Sequence, residues 1–368
     1  MTRKMTLTFA ALLLAGTATA HAADAEACKT VRFADVGWTD IQATTAVAGV
    51  VLDALGYTQE VQVLSVPVTY QSLKNKDMDV FLGNWMPSMA ADVQPFLDDG
   101  SVESIAQNLE GAGYGLVVPT YAAEGGVKSL TDIGKFKDKF DGKIYGIEPG
   151  NDGNRIVLEM IEDPANGLDG FELVESSEAG MLSQAEKAIR NDEWIAFLGW
   201  TPHPIMGEMS ITYLDGMGDS GFGAATVHTN VRAGYTTECP NAGTLIKNLS
   251  FSLSMENKIM DDILKGEDAN AAALAWLKAN PDTVKPWLEG VTTFDGGDAA
   301  AAGVGGGARP DLRSRLLAAA ADRPDAGSAL ARGGIARVGP DPSGSVERSV
   351  GAGSPAVLSP ERRSGAAL

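Results

Sequence analysis

An α/β fold of two lobes, joined by two crossovers and enclosing a ligand cleft, is the architecture this sequence predicts. Three observations carry it. The chain has 368 residues, more than a single core usually holds, so two lobes are expected. Strand-like and helix-like stretches alternate from residue 28 to residue 300, the pattern of parallel α/β layers. The two cysteines, Cys28 and Cys239, stand at the start and late in that region, so a bond between them would join chain start to chain end. The second lobe then reads as an insertion in the first, with residues 23–115 and 213–300 in one lobe and 116–212 in the other.

The elements follow in order. Val31-Arg32-Phe33-Ala34-Asp35-Val36 alternates in the manner of a strand. Asp40 to Leu55 is rich in small and apolar residues and stops at Gly56, which predicts a helix. A strand is expected over Gln59 to Val66, a helix over Tyr70 to Lys76, and a strand over Val80 to Gly83. Tyr114 to Pro119 reads as a strand leading into the second lobe. There, strands are expected at Lys143 to Ile147, Glu172 to Glu175 and Trp194 to Gly199, with helices at Arg155 to Ile161 and Met181 to Arg190. A strand over Thr226 to Tyr235 follows. Four helices close the sequence: Gly243 to Leu253, Asn257 to Lys265, Ala269 to Ala279 and Val284 to Gly290.

Both ends differ from this organised region. Arg3 and Lys4 precede an apolar run from Leu7 to Gly16, then Ala20-His21-Ala22 offers the small-x-small pattern of signal peptidase. The run is too short for a membrane span, which needs ~20 residues. Residues 1–22 are therefore expected to be an export signal, and the mature protein to begin near Ala23 in a periplasm. In that oxidising compartment Cys28 and Cys239 are expected to be bridged. Residues 301–368 hold nine Arg, no Lys and no aromatic residue. Such a stretch cannot bury enough apolar area to offset its chain entropy. It is expected to be a disordered, non-native tail.

Charge and composition exclude several functions. The formal charge of −19 argues against nucleic acid and anionic membranes as partners. Three histidines and two cysteines leave too few ligands for the usual zinc site, and no cofactor motif is present. Gly218-Asp219-Ser220-Gly221 has the look of a protease nucleophile segment, but the α/β layout and the absence of a motif around His203 argue for a loop and against an enzyme.

The aromatic residues are more informative. Trp38, Trp85 and Trp200 each fall just beyond the carboxyl end of an expected strand, with Gly one or two positions earlier. That edge is where open α/β sheets bind ligands. Tyr114, in Gly113-Tyr114-Gly115, faces the gap between lobes. Several rings arranged as a box select a quaternary ammonium, because ring faces are negative and such a cation has no protons to donate. A shared inter-lobe core and a sugar site are the competing readings, though sugars demand more polar side chains. Trp194, Trp276 and Trp287 read as core. Asp40 is either the N-cap of its helix or a charge beside the box. Asn151, at the start of the next lobe's helix, either caps it or offers its amide to a ligand hydroxyl.

Taken together, the export signal, the two α/β lobes and the segments Trp38-x-Asp40, Gly83-Asn84-Trp85, Gly113-Tyr114-Gly115 and Gly199-Trp200-Thr201-Pro202 resemble the substrate-binding proteins of glycine betaine/choline ABC importers. The resemblance covers residues 1 to about 300 and favours the choline-binding members. It implies a type II periplasmic-binding-protein fold, a box of Trp38, Trp85, Tyr114 and Trp200 around trimethylammonium, and Asp40 and Asn151 at the choline hydroxyl. It also implies a monomer that delivers its ligand to an inner-membrane permease. Arg is scarce, and an Asp beside the box would repel a betaine carboxylate. Choline is therefore the expected ligand, with acetylcholine next and glycine or proline betaine weaker.

Overall fold

The computed structural model describes residues 23–299, so the expected export signal (1–22) and the expected disordered tail (301–368) lie outside the described residues. After a short 3-10 turn ending at Cys28 come β1 (Thr30–Asp35), α1 (Thr39–Ala54), β2 (Thr58–Val63), α2 (Val66–Lys74), β3 (Val80–Met86), α3 (Ala90–Asp98) and β4 (Val102–Pro119). Next are α4 (Thr120–Glu124), α5 (Leu130–Ile133), β5 (Lys143–Tyr145), α6 (Asp152–Glu162), β6 (Glu172–Val174), α7 (Glu178–Arg190), β7 (Phe197–Thr201), α8 (Ile205–Glu208) and β8 (Ile211–Tyr213). The chain returns through β9 (Gly223–Arg232) to α9 (Tyr235–Glu238), α10 (Pro240–Asn248), α11 (Leu253–Leu264), α12 (Ala269–Ala279) and α13 (Val284–Trp287).

The strands align in the order β2-β1-β3-β9-β4-β7-β5-β6, with β8 paired to β4. β1, β2 and β3 are mutually parallel neighbours, as are β5, β6 and β7. Between these two parallel groups stand the antiparallel strands β9 and β4. β4 is long enough to serve both groups: Val102 to Tyr114 pair with β9, and Gly113 to Val117 pair with β7. The parallel groups therefore meet along one strand, and their carboxyl ends face the seam.

The core follows from composition. In α1 every residue except Gln42 and Asp53 is buried, because its sequence is apolar or small on all sides. It packs against α11 and α12 on one side and the sheet on the other. Cys28 and Cys239 form a disulfide, with Cα atoms 5.6 Å apart, which fastens the start of β1 to the start of α10. β2 is the sheet edge, and Val61 and Val63 on it are largely exposed.

Several boundaries differ from expectation. β3 and β7 run further than the apolar pattern suggests, so Trp85 and Trp200 lie within the last residues of strands rather than beyond them. Trp194 precedes β7 and packs on Phe136 and Phe140, with the Lys139 ammonium 3.9 Å from its ring centre. The helix α3 contains Pro95, and the first part of β4 alternates in no apolar pattern; both went unread. Asp40 is not the N-cap of α1. The cap position is Trp38, and Asp40 sits inside the first turn, where its carboxylate accepts the Trp85 indole N–H at 3.0 Å.

Candidate ligand site

Trp38 leaves the end of β1 on a turn whose Gly37 has φ +84°, a conformation natural only to glycine. The turn is closed by the Gly37 N–H donating to Asp35 Oδ1 at 2.6 Å. Trp85 and Trp200 come from β3 and β7, and Tyr114 from the point of β4 where its partner changes. Tyr114 lies between the other two, its ring centre 6.0 Å from Trp85 and 6.3 Å from Trp200. Phe222 closes the back of Tyr114 edge-on at 5.1 Å. With Asp40, Ile147 and Asp152, the four rings line one cavity.

Three of the four rings have their polar ends held by hydrogen bonds. Trp38 donates its indole N–H to Glu148 Oε1 at 2.7 Å, and Trp85 donates to Asp40. The Tyr114 hydroxyl donates to Asn151 Oδ1 at 3.3 Å. These bonds restrain three of the four rings; the Trp200 indole N–H has no partner. Gly153 makes the last contact feasible, since a Cβ there would stand 1.9 Å from Tyr114 Oη.

Five of the six residues expected at the site, Trp38, Asp40, Trp85, Tyr114 and Trp200, line this one cavity. Asn151 stands just behind it as the N-cap of α6. Its Oδ1 accepts the Asn154 N–H at 3.1 Å as well as the Tyr114 hydroxyl, and its amide donates to Asp152 Oδ1 at 3.1 Å. The residue of that segment that lines the cavity is Asp152. Asp152 and Ile147 line the cavity as well and were not among the residues expected there.

The interior is apolar walls plus buried acid. Asp40 Oδ1, Asp152 Oδ2 and Trp200 Nε1 are buried with no partner. Burial pushes the Asp40 carboxyl up to about 8, with the Glu178 charge adding and the Trp85 N–H opposing. Burial likewise pushes Asp152 up to about 6 and Glu148 to about 7. No lysine or arginine lines the cavity. At Asp152 the Arg155 charge opposes the shift, and burial outweighs it.

Fold and cavity together define a binding protein for a small solute. The chain belongs to the family of substrate-binding domains of ABC-type glycine betaine transport systems (OpuAC), whose profile matches residues 29–279. It is similar to a solved ABC-transporter choline-binding protein in complex with choline, at 55% identity over 80% of this chain and 100% of that one, with a TM-score of 0.74. An ABC-transporter choline-binding protein in an unliganded semi-closed conformation is 56% identical over 80% of this chain and 99% of that one, with a TM-score of 0.70. The glycine betaine/carnitine transport binding protein of Listeria monocytogenes is 31% identical over 153 residues; these are 42% of this chain and 51% of that protein, so the match spans about half the relative's length. These likenesses place the chain among the periplasmic binding proteins in fold. Substrate-binding proteins of ABC importers are extracellular or periplasmic, and among the described residues no helix is long and apolar enough to cross a membrane.

Proposed function

We propose that this chain binds choline and delivers it to the permease of an ABC importer. The observation that carries the reading is a single cavity with four aromatic walls, two carboxylates with unpartnered oxygens and no cationic side chain. A trimethylammonium group fits this set, each desolvated ring face contributing ~2 kcal/mol or more. Asp40 and Asp152 supply the opposite charge. Asp40 and Asn151 read the hydroxyl; the Asn151 amide has two hydrogens and gives one to Asp152. Residues 23–115 with 213–300 act as one lobe and 116–212 as the other, closing on the ligand about β4. Export of the mature chain from Ala23 to the periplasm, and action as a monomer, belong to the same proposal.

Glycine betaine is the second reading, favoured by the description of the family. Its carboxylate would face Asp40 and Asp152, so it should bind more weakly than choline. Isothermal titration of the protein from Ala23 onward, with choline and then glycine betaine, tests both. One tight choline site with betaine much weaker supports the proposal. Betaine binding as well as choline keeps the box and refutes the ligand; no heat with either refutes the site.

A further inference from the structure

We infer that Glu178, which lies outside the cavity, is a positioning residue that caps helix α1 from the opposite side of the seam and thereby holds two walls of the box together. The inference rests on the ligand-binding reading above. Every helix start leaves N–H groups without an intrahelical partner. In α1 the cap position is occupied by Trp38, whose side chain makes no capping bond. The missing acceptor comes from 139 residues away. Glu178 Oε2 accepts the Thr39 N–H at 2.8 Å, and Oε1 accepts the Thr39 hydroxyl at 2.6 Å. Glu178 is itself the first residue of α7, so two helix N-termini meet at one carboxylate. Their positive ends would repel, and the shared negative charge offsets this.

The third partner completes the link. His203 Nδ1 accepts the Ile205 N–H at 3.2 Å, so the ring proton sits on Nε2 and is donated to Glu178 Oε1 at 3.1 Å. His203 packs edge-on against Trp200, with centres 4.9 Å apart and planes at 88°. One carboxylate thus joins the residue that follows Trp38 to the histidine that braces Trp200. Glu178, His203 and Thr39 are all buried, at 5%, 2% and 7% exposure, so water does not compete for these bonds.

The test is Glu178→Gln, which keeps the shape and removes the charge. Stopped-flow tryptophan fluorescence with choline should show dissociation faster by about tenfold or more, with association within about twofold of wild type. A residue that merely supports the fold would shift the ligand-free melting temperature without splitting the rates this way. Amide exchange at Thr39 in ligand-free protein should accelerate in the variant, and it reads the cap without using choline. Unchanged dissociation, or unchanged Thr39 exchange, overturns the inference. Tighter binding also overturns it, because it would mean that the Glu178 charge acts only by opposing ionisation of Asp40. Wild-type protein that does not bind choline refutes the ligand reading instead, leaving the exchange result to decide the cap.

Discussion

Choline binding should strengthen as pH rises, and Asp40 should be the main cause. In the ligand-free cavity the Asp40 carboxyl is pushed up to about 8, so at neutral pH it is mostly protonated and contributes little attraction. A fixed ammonium within ~4–6 Å lowers a carboxyl pKa by ~1–3 units, so the complex holds Asp40 ionised where the free site does not. Linkage sets the size: affinity changes by up to about tenfold per pH unit between the two pKa values, about 10- to 1,000-fold in all. Titration calorimetry between about pH 5 and about pH 8.5, in two buffers of different ionisation enthalpy, gives both the affinity and the protons released. Asp40→Asn should weaken binding most at the alkaline end. It should keep only the shallower dependence left by Asp152 and Glu148, at about 6 and about 7. The ligand-free fold should show the opposite trend. Its Asp40 pKa lies above the unfolded value of 3.8, so the native state holds a proton that the unfolded chain has lost, and stability falls as pH rises from about 4 to about 8. A flat affinity with no proton release, or an Asn variant with the wild-type slope, would refute this account.

Other expectations follow from single contacts. Trp200→Ala removes a ring that is 4% exposed, and should weaken choline binding more than tenfold while the protein still melts cooperatively, read by calorimetry and thermal denaturation side by side. Gly153→Ala gains ~1 kcal/mol of helix propensity. Its Cβ would nevertheless stand 1.9 Å from Tyr114 Oη, so binding should fall and the melting temperature should not rise. Replacing Cys28 and Cys239 together by serine should cost about 2–5 kcal/mol of stability. Choline affinity should stay within about twofold in that variant, because the bond sits at the start of β1, the end opposite Trp38.

The parts of the site that the sequence disclosed are those set by local chain geometry. Trp38, Tyr114 and Trp200 each follow a glycine directly and Trp85 follows one by two residues, a pattern visible in a few residues. The acids that brace the cavity from outside were harder to see because long-range pairing brings them there. Glu148 reaches Trp38 across 110 residues, and Glu178 reaches Thr39 across 139. Asp152 was hidden by its neighbour, since an Asn at a helix start is the more familiar signal. The alternation of strands and helices was legible wherever an apolar run was continuous. It failed at α3, where Pro95 breaks the pattern, and along the first part of β4, whose interest is in pairing rather than burial.

The place where β4 trades β9 for β7 also bears on how the proposed lobes would part. Rotation of one parallel group against the other would turn about Gly113 and Tyr114, the residues paired in register with both β9 and β7. Trp38 and Trp85 would then travel with one side, Trp200 and Asp152 with the other, while Tyr114 would stay near the axis. One wall would be standing before any solute arrives. An incoming cation would meet that face first and draw the moving walls onto itself.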